Sequence, residues 1–161
     1  MIEDPVFFQF EADFVDSLRC IPMQVRLKLD TCGVKLGLNH WHQLSQGERQ
    51  QLTQLPCDTG PAIAAYRDYL QGLVTGYQGT PAKTLAVEAD PAWQKGQSLP
   101  AEVLAQAQSC GCSLSLDQWQ ALQPLQRFAL IKLSRPGHEN LNFLPALVEF
   151  GLADQPGPQR P

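Results

Sequence analysis

The chain is 161 residues long, and its 43% hydrophobic and 17% charged residues are typical of a globular protein and exclude a disordered one. A formal net charge of −4, with lysines and arginines scattered along the chain, argues against nucleic acid or an anionic membrane as the partner. The length favours a single domain, and no run of about 18 apolar residues is present, so we expect no transmembrane helix.

The N-terminus and the cysteines favour a cytoplasmic protein. Met1-Ile-Glu-Asp-Pro5 has neither the basic nor the apolar region of a secretory signal peptide. In a chain without an export signal, the five cysteines are expected to be reduced thiols.

The opening of the chain is rich in phenylalanine. Phe8 and Phe10 alternate with Gln9, which predicts a short extended segment laid on the core. A short helix from Glu11 to Arg19 is expected to follow, and it must end before Pro22 because proline disfavours helix at the preceding residue.

The stretch 22–55 recurs, without a gap, at 100–133, which is 78 places further along. Eleven of its 34 positions are identical, where about two or three matches would arise by chance. The identical pairs are Pro22/Pro100, Val25/Val103, Cys32/Cys110, Gly33/Gly111, Leu36/Leu114, Leu38/Leu116, Trp41/Trp119, Leu44/Leu122, Arg49/Arg127, Leu52/Leu130 and Leu55/Leu133.

This repetition predicts an all-α fold: a single domain, residues 1–153, of two tandem helical repeats that arose by internal duplication, preceded by the extended segment. Repeat one covers about 20–75, the connector 76–98 and repeat two about 99–151. The Pro- and Gly-rich tail 154–161 is expected to be disordered.

Each repeat is predicted to contain three short helices. The first starts at the proline and stops at a left-handed glycine, Gly33 or Gly111. The second starts at Gly37 or at a capping box formed by Ser115 and Gln118. The third starts at a capping box, Ser45-Gln-Gly-Glu48, or at Pro124.

A longer helix, from about Pro61 to Val74, is predicted to complete repeat one. Glycines and prolines should break any long helix in the connector. Within the connector, Leu85–Val87 and Trp93 are expected to anchor the chain to the core.

The cysteines raise a metal or redox hypothesis. Cys110-Gly-Cys112 lacks the paired C-x-x-C spacing of zinc or iron–sulfur sites. Its members match Cys32 and Val34 of the first repeat, so we expect both to be small buried hydrophobic side chains. Cys20, Cys32 and Cys57 form a site only if the fold brings them together.

The histidines and the shared arginine are expected to be structural. His40 and His42 lie two apart on a helix and diverge too far to bind one metal ion, and His138 lies in a polar loop without a nucleophile. Arg49 and Arg127 occupy one equivalent place, where an arginine is expected to clamp a carboxylate or carbonyl within the fold. We therefore assign no catalytic, cofactor-binding or metal-binding residue, and expect no enzyme.

Three segments resemble the cyanobacterial nitrate reductase-associated protein family. They are Phe8-Gln-Phe-Glu-Ala-Asp-Phe-Val-Asp-Ser-Leu-Arg-Cys-Ile-Pro-Met-Gln-Val-Arg-Leu-Lys-Leu-Asp30, and Leu125-Gln-Arg-Phe-Ala-Leu-Ile-Lys-Leu-Ser-Arg135 together with Asn142-Phe-Leu-Pro-Ala-Leu147. The resemblance spans about residues 7–152.

The resemblance implies a cytoplasmic accessory or maturation protein for nitrate assimilation. Its expected partner is nitrate reductase, an enzyme that carries a molybdopterin guanine dinucleotide cofactor and an iron–sulfur cluster, and it is expected to act by protein binding. The alternative is a metal- or molybdenum-cofactor-handling protein that uses cysteine ligands. Residues without an evident structural role mark the candidate partner surface: Arg19, Arg26, Arg135, His138 and Glu149.

Overall fold

A computed structural model describes residues 7–12 and 18–154, without the side chains of His138 and Glu139. These residues are mainly helical, as predicted, and they also form one two-stranded sheet that the all-α prediction did not include. They divide into two compact units, residues 11–89 and residues 8–10 with 90 onward. The break between 89 and 90 lies inside the predicted connector. Most of the predicted Glu11–Arg19 helix, and all but residue 154 of the predicted disordered tail, lie outside the described residues.

The first unit is built from four helices and two short strands among the described residues. In chain order these are α1 (Met23–Cys32), β1 (Val34–Lys35), α2 (Leu38–Gln43), α3 (Gln46–Gln54), α4 (Gly60–Gln78) and β2 (Lys83–Thr84). The strands are antiparallel, with Val34 opposite Thr84. The centre of the unit is a cluster of buried side chains that includes Trp41, Tyr66 and Leu70.

Helix ends in the first unit follow the predicted signals. Gly33 ends α1 in the left-handed conformation, with φ 76°. The Ser45 hydroxyl accepts from the Glu48 amide while the Glu48 carboxylate accepts from the Ser45 amide, so the predicted capping box before α3 is confirmed.

Helix α4 is longer than predicted. It continues past Val74 to Gln78 and stops at the left-handed Gly79. Gly76 does not break it, because one glycine lowers helix stability by only about 1 kcal/mol. Beyond it, part of the predicted connector is ordered structure: β2 pairs with β1, and the Leu85 amide donates to the Gly33 carbonyl at 2.8 Å.

The second unit is built around one buried helix. Its helices are α5 (Ala92–Lys95), α6 (Ala101–Ser109), α7 (Leu116–Ala121), α8 (Pro124–Leu133) and α9 (Phe143–Glu149), with a 3-10 turn at His138–Asn142 before α9. Helix α8 contacts α5, α6 and α9. The Trp93 ring packs edge-on against Phe128 of α8 at 5.7 Å between ring centroids, so the predicted anchoring role of Trp93 is confirmed.

The N-terminal segment is not extended as predicted. Gln9–Glu11 form a 3-10 turn, and the Phe8 and Phe10 rings stack with their centroids 5.2 Å apart. The Glu149 carboxylate explains the bend, because one of its oxygens accepts from the amides of both Gln9 and Phe10, at 2.8 and 3.3 Å.

The helices of the two units occupy equivalent places in the chain. α7 starts and ends 78 residues after α2, and α8 starts 78 residues after α3. The correspondence extends N-terminally beyond the stretch matched by sequence, because Leu18 and Gly96 are also 78 residues apart and both have positive φ, 51° and 68°.

Candidate functional site

The arginine shared by the two units binds backbone carbonyls in both. In the first unit Arg49 donates from Nε to the Trp41 carbonyl at 3.0 Å and from Nη2 to the His42 carbonyl at 3.1 Å. Its guanidinium also lies 6.0 Å from the Trp41 ring centroid. Arg49 therefore ties the start of α3 to the end of α2.

In the second unit Arg127 is more deeply engaged. Its Nε donates to the Trp93 carbonyl at 2.8 Å, its Nη2 to the Gln94 carbonyl at 2.9 Å, and its Nη1 to the carbonyls of Trp119, Gln120 and Leu122. The residue is only 4% exposed, and burial lowers the pKa of its guanidinium below the ordinary 12.5. The prediction of a clamp within the fold is confirmed for both arginines.

Three polar side chains meet where α1 ends. The Lys28 ammonium donates to the carbonyls of Thr53 and Leu55, at 3.0 and 2.7 Å, and so holds the end of α3 against α1. The chain next reaches Cys57, whose thiol donates to the Lys28 carbonyl at 3.7 Å, while the thiol of Cys32 donates to the neighbouring Leu29 carbonyl at 3.8 Å. The fold thus brings together Cys32 and Cys57, two of the three cysteines that the sequence analysis expected to form a site only if the fold made them neighbours.

The surroundings of this thiol pair perturb several pKa values. The hydrogen bond with Cys57 lowers the pKa of Cys32, helped by the Val34 backbone and by the charge of Arg67, while the same hydrogen bond, with burial, raises the pKa of Cys57. Burial lowers the pKa of Lys28. A proton is therefore held more firmly on Cys57 than on Cys32.

Cys20 is exposed and lies outside the buried cluster that contains the other two cysteines. Among the described residues, no group of three or more His, Cys, Asp or Glu side chains is arranged so that it could hold a metal ion. A cysteine-based metal site in this part of the chain would have to rely on fewer protein ligands than a structural zinc site uses.

Cys110 and Cys112 are not fully buried, contrary to prediction. Both are half-buried, and they line an open concavity of about 490 Å³ together with residues of the segment 151–154. α6 ends at Ser109, one residue before Cys110, so Cys110 lies in the cap of the helix and not on its buried face. The Cys112 thiol donates to the Leu152 carbonyl at 3.3 Å.

His40 and His42 have structural partners. The Gly37 amide donates to Nδ1 of His40 at 3.0 Å, so His40 caps the start of α2. Nε2 of His42 donates to the carbonyl of Arg19 at 2.8 Å.

The predicted partner-surface residues lie in different parts of the two units. Arg19 is exposed and Arg26 half-buried in the first unit, and each makes further contacts in the fold. Arg135 is exposed in the second unit, in the loop that also contains His138. Glu149 is half-buried and holds the N-terminal turn, so it has a structural role that the sequence did not reveal.

The loop between α8 and α9 presents an apolar side chain that the sequence analysis overlooked. Leu141 is 76% exposed. The loop is held by Asn140, whose amide donates to the carbonyls of Leu133 and Arg135 and whose oxygen accepts from Gln106 at 3.0 Å. The sequence signal that could have identified it is a leucine in a stretch otherwise made of polar residues, glycine and proline.

No helix within the described residues has both the length and the hydrophobicity needed to cross a bilayer. A family model described as "conserved nitrate reductase-associated protein" matches residues 7–150 of the chain. Neither a search of curated proteins nor a search of solved structures found a match.

Proposed function

The chain belongs to the family of conserved nitrate reductase-associated proteins, and on that basis we propose that it is an accessory or maturation protein required for active nitrate reductase. It acts by binding the enzyme in the cytoplasm and catalyses no reaction itself. The observation that carries the proposal is the family match over residues 7–150, which includes nearly all of both units.

The reductase supplies the molybdenum cofactor and the iron–sulfur cluster in this proposal. The accessory protein contributes a surface that binds the reductase. A partner that stabilises one state of the enzyme shifts its population toward that state, and so supports activity without taking part in the chemistry.

We propose the α8–α9 loop as the main contact with the reductase. Arginine is enriched at protein interfaces, and an exposed leucine gains free energy when a partner removes it from water. Arg135 and Leu141 lie on a loop whose backbone is held by Asn140. A loop held in one conformation loses little entropy when it binds. Of the other predicted surface residues, Arg19, Arg26 and His138 remain candidates.

Binding of purified nitrate reductase from the same host to the full-length protein tests this proposal. Leu141→Asp and Arg135→Glu should each weaken binding at least tenfold without lowering the unfolding temperature. Leu116→Asp is the matched control, because Leu116 is an exposed leucine of the same unit, on α7. Absence of binding by the unmodified protein contradicts the function, whereas equal effects of all three substitutions contradict only the surface.

We also propose that the two units descend from one helical repeat by internal duplication. Eleven identities over 34 aligned positions, the common spacing of 78 residues between equivalent helices, and the carbonyl-binding arginine in both units support it. Alignment of many members of the family should extend the same 78-residue register. A register that differs between members would contradict the duplication.

A further inference from the structure

The buried thiols of Cys32 and Cys57 form a pair in the first unit. Cys32 is the last residue of α1, and Cys57 lies in the segment between α3 and α4. They are 2% and 9% exposed, and both belong to the buried cluster at the centre of the unit. The residues are 25 positions apart, so their proximity is a product of the fold.

Specific bonds place both sulfurs beside α1. Lys28 binds two carbonyls at the end of α3 and thereby brings the chain leading to Cys57 against α1. The sulfur of Cys57 lies 3.7 Å from the Lys28 carbonyl oxygen, and that of Cys32 lies 3.8 Å from the Leu29 carbonyl oxygen. The two thiols are therefore placed beside consecutive carbonyls of one helix.

We propose that Cys32 and Cys57 are an oxidisable dithiol, which a peroxide converts to an intramolecular disulfide. The Cys32 thiolate attacks one peroxide oxygen, the O–O bond breaks, and hydroxide leaves, so that Cys32 becomes a sulfenic acid. The Cys57 sulfur then attacks the Cys32 sulfur, the S–O bond breaks, and hydroxide leaves. The two hydroxides take up the two thiol protons. Two thiols have lost two electrons, and hydrogen peroxide has become two waters.

The electrostatics of the site fit this order of attack. Cys32 has the lowered pKa and Cys57 the raised one, so Cys32 is the more easily ionised sulfur. The thiolate is the nucleophilic form of cysteine. Arg67 contributes by attraction to the Cys32 sulfur, and its Nη1 donates to the Cys32 carbonyl at 3.4 Å.

The second unit lacks the corresponding pair. Cys110 is the equivalent of Cys32, but the place equivalent to Cys57 is occupied by Arg135. Cys110 and Cys112 therefore serve as internal references with the same chemistry and no equivalent partner. The dithiol is independent of nitrate reductase binding, so it can be tested on the isolated protein.

Peptide mapping of the full-length protein provides the test. Cleavage after lysine and arginine places Cys20 in peptide 20–26, Cys32 in 29–35, Cys57 in 50–67, and both remaining cysteines in 96–127. The protein is treated with hydrogen peroxide at low concentration, its remaining thiols are alkylated under denaturing conditions, and the peptides are identified without reduction.

We expect peptide 29–35 to be linked to 50–67 in monomeric protein, and the link to disappear on reduction. The disulfide should raise the unfolding temperature by roughly 5 °C or more, because it joins α1 to the segment before α4 across an intervening loop. Cys57→Ala should remove both effects, and Cys110→Ala should retain both. The proposal is overturned if Cys32 and Cys57 remain free thiols after the exposed Cys20 has been oxidised. It is also overturned if either of them is linked to any other cysteine.

Discussion

Replacement of Gly33 and of Gly111 by alanine should destabilise the protein to different extents. Both glycines are at equivalent places after the first helix of a unit, and both have φ 76°. Their surroundings differ. A Cβ atom on Gly33 would lie 2.9 Å from the Leu85 carbonyl oxygen and 2.9 Å from Cγ2 of Val87, whereas a Cβ on Gly111 would meet no atom within 4 Å.

The difference between the two substitutions can be given a magnitude. An L-residue in the left-handed conformation loses about 1–2 kcal/mol relative to glycine, and both variants carry this loss. At Gly33 the added methyl group also presses on the backbone that follows β2, where the Leu85 amide donates to the Gly33 carbonyl at 2.8 Å. Relief requires a shift of that strand, and overpacking of this kind destabilises by about 1–3 kcal/mol. We therefore expect a loss of about 2–5 kcal/mol for Gly33→Ala and about 1–2 kcal/mol for Gly111→Ala.

Urea unfolding followed by circular dichroism measures these free energies. Because both variants introduce the same residue at the same φ, the backbone penalty cancels in their difference, and only the steric contribution remains. Equal losses in the two variants, or a greater loss for Gly111→Ala, would refute the reasoning about the β1–β2 contact.

Three further predictions concern equivalent or clamping side chains. In urea unfolding, Trp41→Phe should destabilise the protein by about 1–2 kcal/mol more than Trp119→Phe. The reason is that the Trp41 indole donates to a carbonyl at 2.6 Å, whereas the Trp119 indole has no hydrogen-bond partner among the described residues. A larger loss for Trp119→Phe would contradict this prediction. In the same measurement, Arg127→Lys should destabilise the protein by about 3 kcal/mol and Arg49→Lys by about 1 kcal/mol. A lysine cannot reproduce the planar fork with which arginine binds several carbonyls, and Arg127 binds more of them than Arg49. Similar losses in the two variants would refute the deeper engagement of Arg127. Glu149→Ala should accelerate hydrogen exchange of the two amides that its carboxylate binds by at least tenfold, and unchanged exchange would contradict the N-terminal clamp.

Local signals in the sequence predicted the helix ends and the clamps well. The capping boxes at Ser45 and Ser115 and the left-handed Gly33 depend on neighbouring residues alone, which a sequence displays directly. The roles of Arg49 and Arg127 followed from their equivalent places, because an arginine that recurs in two similar segments without a ligand motif is best explained by the fold.

Features that depend on distant residues were not predictable in the same way. The N-terminal turn bends because Glu149, 140 residues from Gln9, accepts its amide. Cys110 is half-buried and not fully buried because α6 ends one residue earlier than the helix of the first unit. The proximity of Cys32 and Cys57 depends on tertiary packing. The sequence therefore predicted only that these cysteines could form a site if the fold brought them together.

Deletion of the gene, followed by assay of nitrate reductase, tests the proposed function most directly. Nitrate reductase activity per molecule of enzyme should fall in the deletion strain and should recover when the intact chain is supplied. The Leu141→Asp variant should restore it poorly, and Leu116→Asp should restore it fully. Molybdenum cofactor content, measured on the same enzyme, separates a defect in cofactor insertion from a defect in stabilisation. Full activity and normal cofactor content in cells without the protein would contradict the account.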